Sequence, residues 1–432
     1  MWRRGMRTLL ERVREGKVPP VLARAARAVG MEPSVACRRV ADGRLVLFGD
    51  RLIGEGAPTR VNVNVGTSSV ADSSGQSERC VEDEVKKARI AGELGDTITD
   101  LSMAGDLDEV RRRIHRAAGL PLTTIPIYQA VAENGIGSLE VDDILEVAKR
   151  QLHDACSLVL HAGFTREMLA ALKGRTMPMV SKGGSMTLAH MIQGGGENPF
   201  YEHFDEFLGL LRREDAVLVL GNTLRSGCLV DWSSPRAKRS PEALEFELNR
   251  GLAARASVAG VQVVVEGLGG HIPPSSIMAA VRAFKRECPR PLFVAGPLPT
   301  DIAVGYDHVA AAIGSAMAAG AGADYICCIT AAEHLALPTV EEVKEGIVSA
   351  RIAAHVGDLM KYGLSEEERM MAVERSRRNW EAQFYLALDG GTAARRRHPP
   401  TQTECTMCGR FCALQIVEQY LGAGHGQRED AH

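Results

Sequence analysis

Across residues 60–330, short apolar runs rich in β-branched residues alternate with longer amphipathic stretches. The runs are RVNVNVG, DTITDLS, LTTIPIY, CSLVLHAG, MPMVSKGG, AVLVLGN, VQVVVEG, LFVAGPL and DYICCIT. Between them lie VEDEVKKARIAGEL, LDEVRRRIHRAA, VDDILEVAKRQLHDA and FYEHFDEFLGLLRRE, whose apolar positions recur at helical spacing. Near-continuous apolar strands separated by helices predict βαβ units around a parallel sheet. Nine runs are one more than a closed barrel needs. The expected fold class is α/β, a (β/α)8 barrel over residues 60–350. An open doubly wound sheet ranks second, because no glycine-rich fingerprint follows the first strand.

The flanks read differently. Residues 1–59 begin helical and basic (RTLLERVREG, VLARAARAVG), then become turn-rich, which predicts a small N-terminal cap domain. Residues 351–432 hold long helical patterns, a Gly- and Arg-rich stretch, GGTAARRRHPPTQTE, that reads as a flexible linker, and a cysteine-rich tail.

Composition removes several classes of function. A hydrophobic fraction of 45% and a charged fraction of 24% are ordinary for a globular enzyme, and a net charge of −3 gives no global attraction for nucleic acid or anionic membrane. No apolar run is long enough to span a bilayer, and seven scattered cysteines fit reduced thiols rather than a disulfide framework. A cytoplasmic location is expected.

In parallel α/β folds the reacting groups collect at the carboxyl ends of the strands. The polar residues there are Asn64, Ser102, Tyr128, His161, Ser181 with Gly183 and Gly184, Asn222 with Arg225, Glu266 and His271, with Asp301 and His308 after the strand LFVAGPL. Each alone has a bland explanation, a helix N-cap or a satisfied polar group. Their concentration at one end of nine runs points to a shared pocket. SKGGS can cradle a phosphate on backbone N–H groups, and Arg225 can grip an anion bidentately. His271 and His308 are two candidate ligands for a divalent metal, with Glu266 as a third ligand or a base.

The tail, CTMCGRFCAL, places Cys405, Cys408 and Cys412 within eight residues. Zinc would close four ligands, with His398 or His425 as the fourth. A [4Fe-4S] cluster held by three thiolates would instead leave one iron for a small molecule. S-adenosylmethionine binds such an iron through its amino and carboxylate groups, and its reductive cleavage gives methionine and a 5′-deoxyadenosyl radical. Spacing alone does not choose between the two.

Taken in order, VNVNVG, DLS, IPIYQA, HAG, SKGGS, NPFYEHFDE, VVVEG, GPLPTDIAVGYDH, EHLALP, KEGI, IAAH and CTMCGRFC resemble the phosphomethylpyrimidine synthase (ThiC) family across residues 58–415. The resemblance implies a (β/α)8 barrel and a radical-SAM tail with a [4Fe-4S] cluster on Cys405, Cys408 and Cys412. It also implies a zinc or iron ion on His271 and His308, and a homodimer with exchanged tails. Its substrate would be aminoimidazole ribotide, rearranged to hydroxymethylpyrimidine phosphate with release of formate and carbon monoxide. Asn64, Ser102, Tyr128, His161, Ser181, Gly183, Asn222, Arg225 and Glu266 would contact that substrate, with Glu266 catalytic. An electron donor such as flavodoxin or ferredoxin is implied too.

Several motifs depart from the family pattern. LGDG-RPG becomes LGNTLRSG, EGPGH becomes EGLGGH, SRGG becomes SKGG and CYVTP becomes CCITA. Such changes resemble a paralogue that converts the same ribotide to 5-hydroxybenzimidazole for the lower ligand of anaerobic cobamides. The other expectations are a metal-dependent barrel hydrolase or aldolase with a structural zinc tail, and an accessory chain that requires a paralogous subunit.

Overall fold

The computed structural model describes residues 7–68, 77–234, 237, 239–397 and 405–421. The chain divides into two compact units, Met1–Lys361 and Tyr362–His432.

The first unit is built on a closed, all-parallel barrel. Its strands are β3 (Arg60–Val65), β4 (Thr97–Asp100), β5 (Leu122–Thr124), β6 (Ser157–Leu160), β7 (Val217–Leu220), β8 (Val263–Glu266), β9 (Leu292–Val294) and β10 (Tyr325–Cys327), joined in the order β10-β3-β4-β5-β6-β7-β8-β9. Pairings such as Asn62↔Thr97 and Val265↔Leu292 run around the ring, and Tyr325↔Arg60 closes it. Most strand positions are buried because the barrel fills its interior while helices cover its outside. Between strands, local chemistry sets helix ends. In the helix Leu107–Ala118, Asp106 accepts the Glu109 N–H at the start and Gly119 closes the end in the left-handed conformation. Its Leu107, Val110, Ile114 and Ala118 face the core.

One of the nine expected strands does not form. MPMVSKGG is irregular backbone leading into the helix Lys182–Gly194, and Ser181 caps that helix rather than ending a strand. The segment before it is held by side chains instead of a ladder. Asp231 accepts the Thr176 and Met177 N–H groups, each at 2.7 Å, and Pro178 has no N–H to give a neighbouring strand. The eight remaining runs are the eight barrel strands.

The N-terminal residues form three short helices and a hairpin, β1 (Leu45–Phe48) with β2 (Arg51–Gly54). They pack around their own core, including Leu10, Leu22, Leu45 and Leu52. This layer is fastened to the amino ends of the barrel strands. Thr8 Oγ1 donates to the Gly260 carbonyl at 2.8 Å, Leu9 N–H to Asp215 at 2.9 Å, and Leu47 N–H to Gln262 Oε1 at 2.9 Å. The candidate site residues lie at the opposite, carboxyl end of the strands.

The second unit contains the helices Glu366–Ser376, Trp380–Leu386, Gly390–Arg396 and Ala413–Leu421. The stretch expected to be a flexible linker begins as the helix Gly390–Arg396, started by Asp389, which accepts the Thr392 N–H at 2.9 Å. No helix among the described residues is long and apolar enough to cross a membrane.

Candidate active site

Glu266 ends β8 and Asn222 follows β7 by two residues, so the two strand ends set them side by side. The Asn222 N–H donates to Glu266 Oε2 at 3.2 Å. Burial pushes the Glu266 carboxyl up, and the Arg225 charge and that N–H pull it back. Arg225 is fixed by its own loop, donating to the Asn222 carbonyl at 2.8 Å.

The Asn222 side chain is occupied at both ends. Its Nδ2 donates to Glu245 Oε2 at 2.7 Å, and its Oδ1 accepts the Gly269 N–H at 3.0 Å. Glu245 also accepts the Thr223 N–H and, at 2.9 Å, the Leu224 N–H. Burial pushes Glu245 up to about 8 against these donors.

His161 follows β6 directly. Burial, reinforced by the Arg225 charge, drives its imidazole down to about 3, so the ring is neutral at physiological pH. Its Nδ1 is buried without a hydrogen-bond partner. The ring lies against Gly183, where a Cβ would sit 2.3 Å from His161 Cε1. Only glycine fits there. Ser181 Oγ accepts the Gly184 N–H at 3.2 Å, making it the N-cap of the helix that carries Gly183. Tyr128 lies in the first turn of the helix Pro126–Asn134, with Lys182 Nζ 4.3 Å above its ring. Its hydroxyl meets the Gly183 N–H, and burial keeps it protonated.

Asn64, near the end of β3, receives a bond from Asn62 at 2.8 Å and donates to Cys327 Sγ at 3.2 Å. Ser102 Oγ accepts the Thr67 N–H at 3.1 Å. A cavity of about 530 Å³ opens here, lined by Asn64, Thr67, Lys87, Lys182, Cys328 and Glu333 among others. The Glu84–Lys87 pair on its wall is buried, with contact at 2.5 Å, and Glu84 also takes the Gly66 N–H at 2.8 Å. Sequence reading missed both residues. Their spacing of three along an amphipathic helix was visible, but not that this side of the helix faces a cavity.

The two candidate metal ligands each have close neighbours of their own. His271 Nδ1 contacts Asp301 Oδ1 at 2.7 Å, and the neighbouring ring is that of His334, with centroids 5.7 Å apart. His308 instead stacks with Tyr306 at 6.4 Å, its Nδ1 buried and unpartnered. His334 went unassigned although it sits in the motif EHLALP, seven residues beyond β10. Among the described residues, no three His, Cys, Asp or Glu side chains are gathered closely enough to hold a metal ion.

In the second unit Cys405, Cys408 and Cys412 lie on a tight turn, where Gly409 N–H donates to the Cys405 carbonyl at 2.9 Å and Cys412 N–H to the Gly409 carbonyl at 3.2 Å. The Cys408 and Met407 N–H groups point at the Cys405 sulfur and hold its thiol below the ordinary value. The same negative neighbour pushes Cys408 up. Thiolate-directed N–H groups and three thiols on one turn fit a cluster ligand loop. A cavity of about 350 Å³ beside Cys405 is bordered by Arg375, Arg396 and Arg397. His398 and His425, the alternative zinc ligands, lie outside the described residues.

The family model for the radical SAM ThiC family matches residues 8–419. A phosphomethylpyrimidine synthase of Dehalococcoides mccartyi is 40% identical, over 96% of this chain and 98% of that protein. One from Methanopyrus kandleri is 41% identical, over 96% and 99%. A protein named phosphomethylpyrimidine synthase 2, from Syntrophotalea carbinolica, is 38% identical, over 95% and 99%. Among solved structures, a dihydropteroate synthase of Xanthomonas albilineans aligns at 13% identity and a TM-score of 0.43, over 74% of this chain and 99% of that one.

Proposed function

Because the chain belongs to the radical SAM ThiC family, we propose that it is a radical lyase rearranging aminoimidazole ribotide to hydroxymethylpyrimidine phosphate. The carrying observation is the neutral His161, buried Glu266 and Arg225 at one end of the barrel, in a chain whose tail presents three thiols on one turn. Arg225 is suited to a phosphate, and Asn64, Ser102 and Tyr128 to ribose hydroxyls and ring nitrogens. Neutral His161 can share hydrogen bonds with a ligand without adding charge. Glu266, raised by burial, is the candidate for holding a proton and handing it to the rearranging ring.

Cys405, Cys408 and Cys412 would hold a [4Fe-4S] cluster which, with S-adenosylmethionine bound, supplies a 5′-deoxyadenosyl radical. Arg375, Arg396 and Arg397 beside Cys405 offer partners for the carboxylate of S-adenosylmethionine. A second, divalent metal would sit on His271 and His308, the pair that the family resemblance implies. A homodimer and a low-potential donor such as flavodoxin or ferredoxin belong to the same reading.

The second reading keeps the ribotide but makes 5-hydroxybenzimidazole. What favours it is that the altered residues Asn222, Ser226 and Gly269 all lie on the two loops flanking Glu266. The test is an anaerobic reaction of reconstituted protein with ribotide, S-adenosylmethionine and dithionite, read by mass spectrometry. Hydroxymethylpyrimidine phosphate supports the first reading and hydroxybenzimidazole the second. Absence of both products and of deoxyadenosine, with the cluster intact, would overturn both.

A further inference from the structure

The loops after β7 and β8 are joined by more than the contact at Glu266. Asn222 Oδ1 takes the Gly269 N–H at 3.0 Å, Ser226 Oγ donates to the His271 carbonyl at 2.6 Å, and the His271 N–H donates back to the Ser226 carbonyl at 3.0 Å. A Cβ on Gly270 would lie 2.2 Å from the Ser226 carbonyl oxygen, so the two backbones touch. Behind them Glu245, on the helix Pro241–Val258, accepts from Thr223, Leu224 and the Asn222 amide.

We infer that Asn222 is a positioning residue: its amide bridges Glu245 to the Gly269 N–H, locking loops 222–226 and 267–271 into one body that aims Glu266 and His271. This departs from a substrate-contact role for Asn222. Its oxygen and one of its two amide hydrogens are already used inside the protein, with good geometry at both ends. The bridge needs an amide in particular. An aspartate could still accept from Gly269, but 2.7 Å from Glu245 Oε2 the two acids would have to share one proton, on a carboxyl whose oxygens already accept the Thr223 and Leu224 N–H groups. Arg225, Glu266 and Asp301 are charged groups at this junction: Arg225 donates to the Asn222 carbonyl, Glu266 accepts the Asn222 N–H and Asp301 contacts His271 Nδ1.

The inference rests on the proposed function only for its ligand, so the experiment carries a readout that needs no ligand. Full-length protein as Asn222→Asp, and as Asn222→Asp with Glu245→Gln, is compared with the unaltered chain. Amide hydrogen exchange is followed at Gly269, and titration with aminoimidazole ribotide is run alongside. In the single variant, exchange at Gly269 should quicken and ribotide affinity fall, each about 10-fold or more, the scale of one lost hydrogen bond to a charged group. In the double variant the amide introduced by Glu245→Gln can donate to the carboxylate introduced by Asn222→Asp. Both effects should then recover to within about 3-fold, the Leu224 N–H losing part of its acceptor. Exchange at Gly269 unchanged by Asn222→Asp would overturn the bridge. Exchange restored in the double variant while affinity stays low would show that Asn222 touches the ribotide directly and overturn the positioning role. If the unaltered chain does not bind ribotide yet exchange follows the expected pattern, the bridge stands and the proposed substrate falls.

Discussion

Gly183→Ala offers a sharp test of the pocket. A Cβ at this position would lie 2.3 Å from His161 Cε1 and 2.7 Å from its Nδ1. Carbon atoms pack no closer than about 3.5 Å, so the imidazole must retreat by roughly 1 Å. The ring has little room, because it also borders Gly221, where a Cβ would stand 3.2 Å from His161 Cδ2. Overpacking of this kind costs about 1–3 kcal/mol of stability. Displacing a positioned group by about 1 Å can cost around 100-fold in rate. The variant should therefore melt a few degrees lower, bind ribotide about 10-fold or more weakly, and turn over far more slowly. Gly209→Ala is the control. On the helix Phe204–Glu214 its Cβ would meet only Arg213 Nη1, at 3.9 Å, so that variant should gain up to about 1 kcal/mol from helix propensity. Differential scanning calorimetry and ribotide titration read both variants. Gly183→Ala with unaltered melting and affinity would show that His161 is neither tightly packed nor important to the ligand.

Cys408→Ser should remove the iron–sulfur absorption and all deoxyadenosine formation while circular dichroism and melting of the barrel stay unchanged; continued deoxyadenosine formation would refute the ligand assignment. Arg225→Ala should weaken ribotide binding by about 10-fold or more but leave S-adenosylmethionine binding nearly intact, as expected for a lost charge-assisted contact. Equal loss for both ligands would misplace that side chain. His161 titrates at about 6.5 unfolded and about 3 folded, so the unfolded chain binds the proton first and stability is lost as pH falls through that window. The loss approaches about 5 kcal/mol in order of magnitude, and His161→Gln should flatten chemical-denaturation stability between pH 6.5 and 4 by part of that.

The barrel was legible because its strands are buried on both faces, which writes most of them as near-continuous apolar runs, and because several runs end in polar residues. The false ninth strand shows the limit. MPMVSKGG carries the composition of a strand, but its preceding N–H groups are claimed by Asp231, more than fifty residues away. The linker GGTAARRR was misread for a similar reason, since one N-cap at Asp389 starts a helix despite two glycines. Site residues at strand ends were found by position, whereas His334 and Glu333 lie well past β10 and approach the pocket only through the turn after it. The amide bridge at Asn222 was out of reach. Nothing local distinguishes an asparagine that faces a ligand from one whose amide is shared between a distant glutamate and a glycine N–H.

The fastening of the N-terminal layer to the barrel also has a meaning in time. Thr8 and its acceptor Gly260 are 252 residues apart, an interval that a ribosome takes on the order of 10–50 s to translate. For that interval residues 7–54 lack their partners on the later strands, Asp215, Gly260 and Gln262. Their private core of Leu10, Leu22, Leu45 and Leu52 gives them somewhere to put apolar surface meanwhile. A layer with its own core can shield that surface before the later strands emerge to close the ring above it.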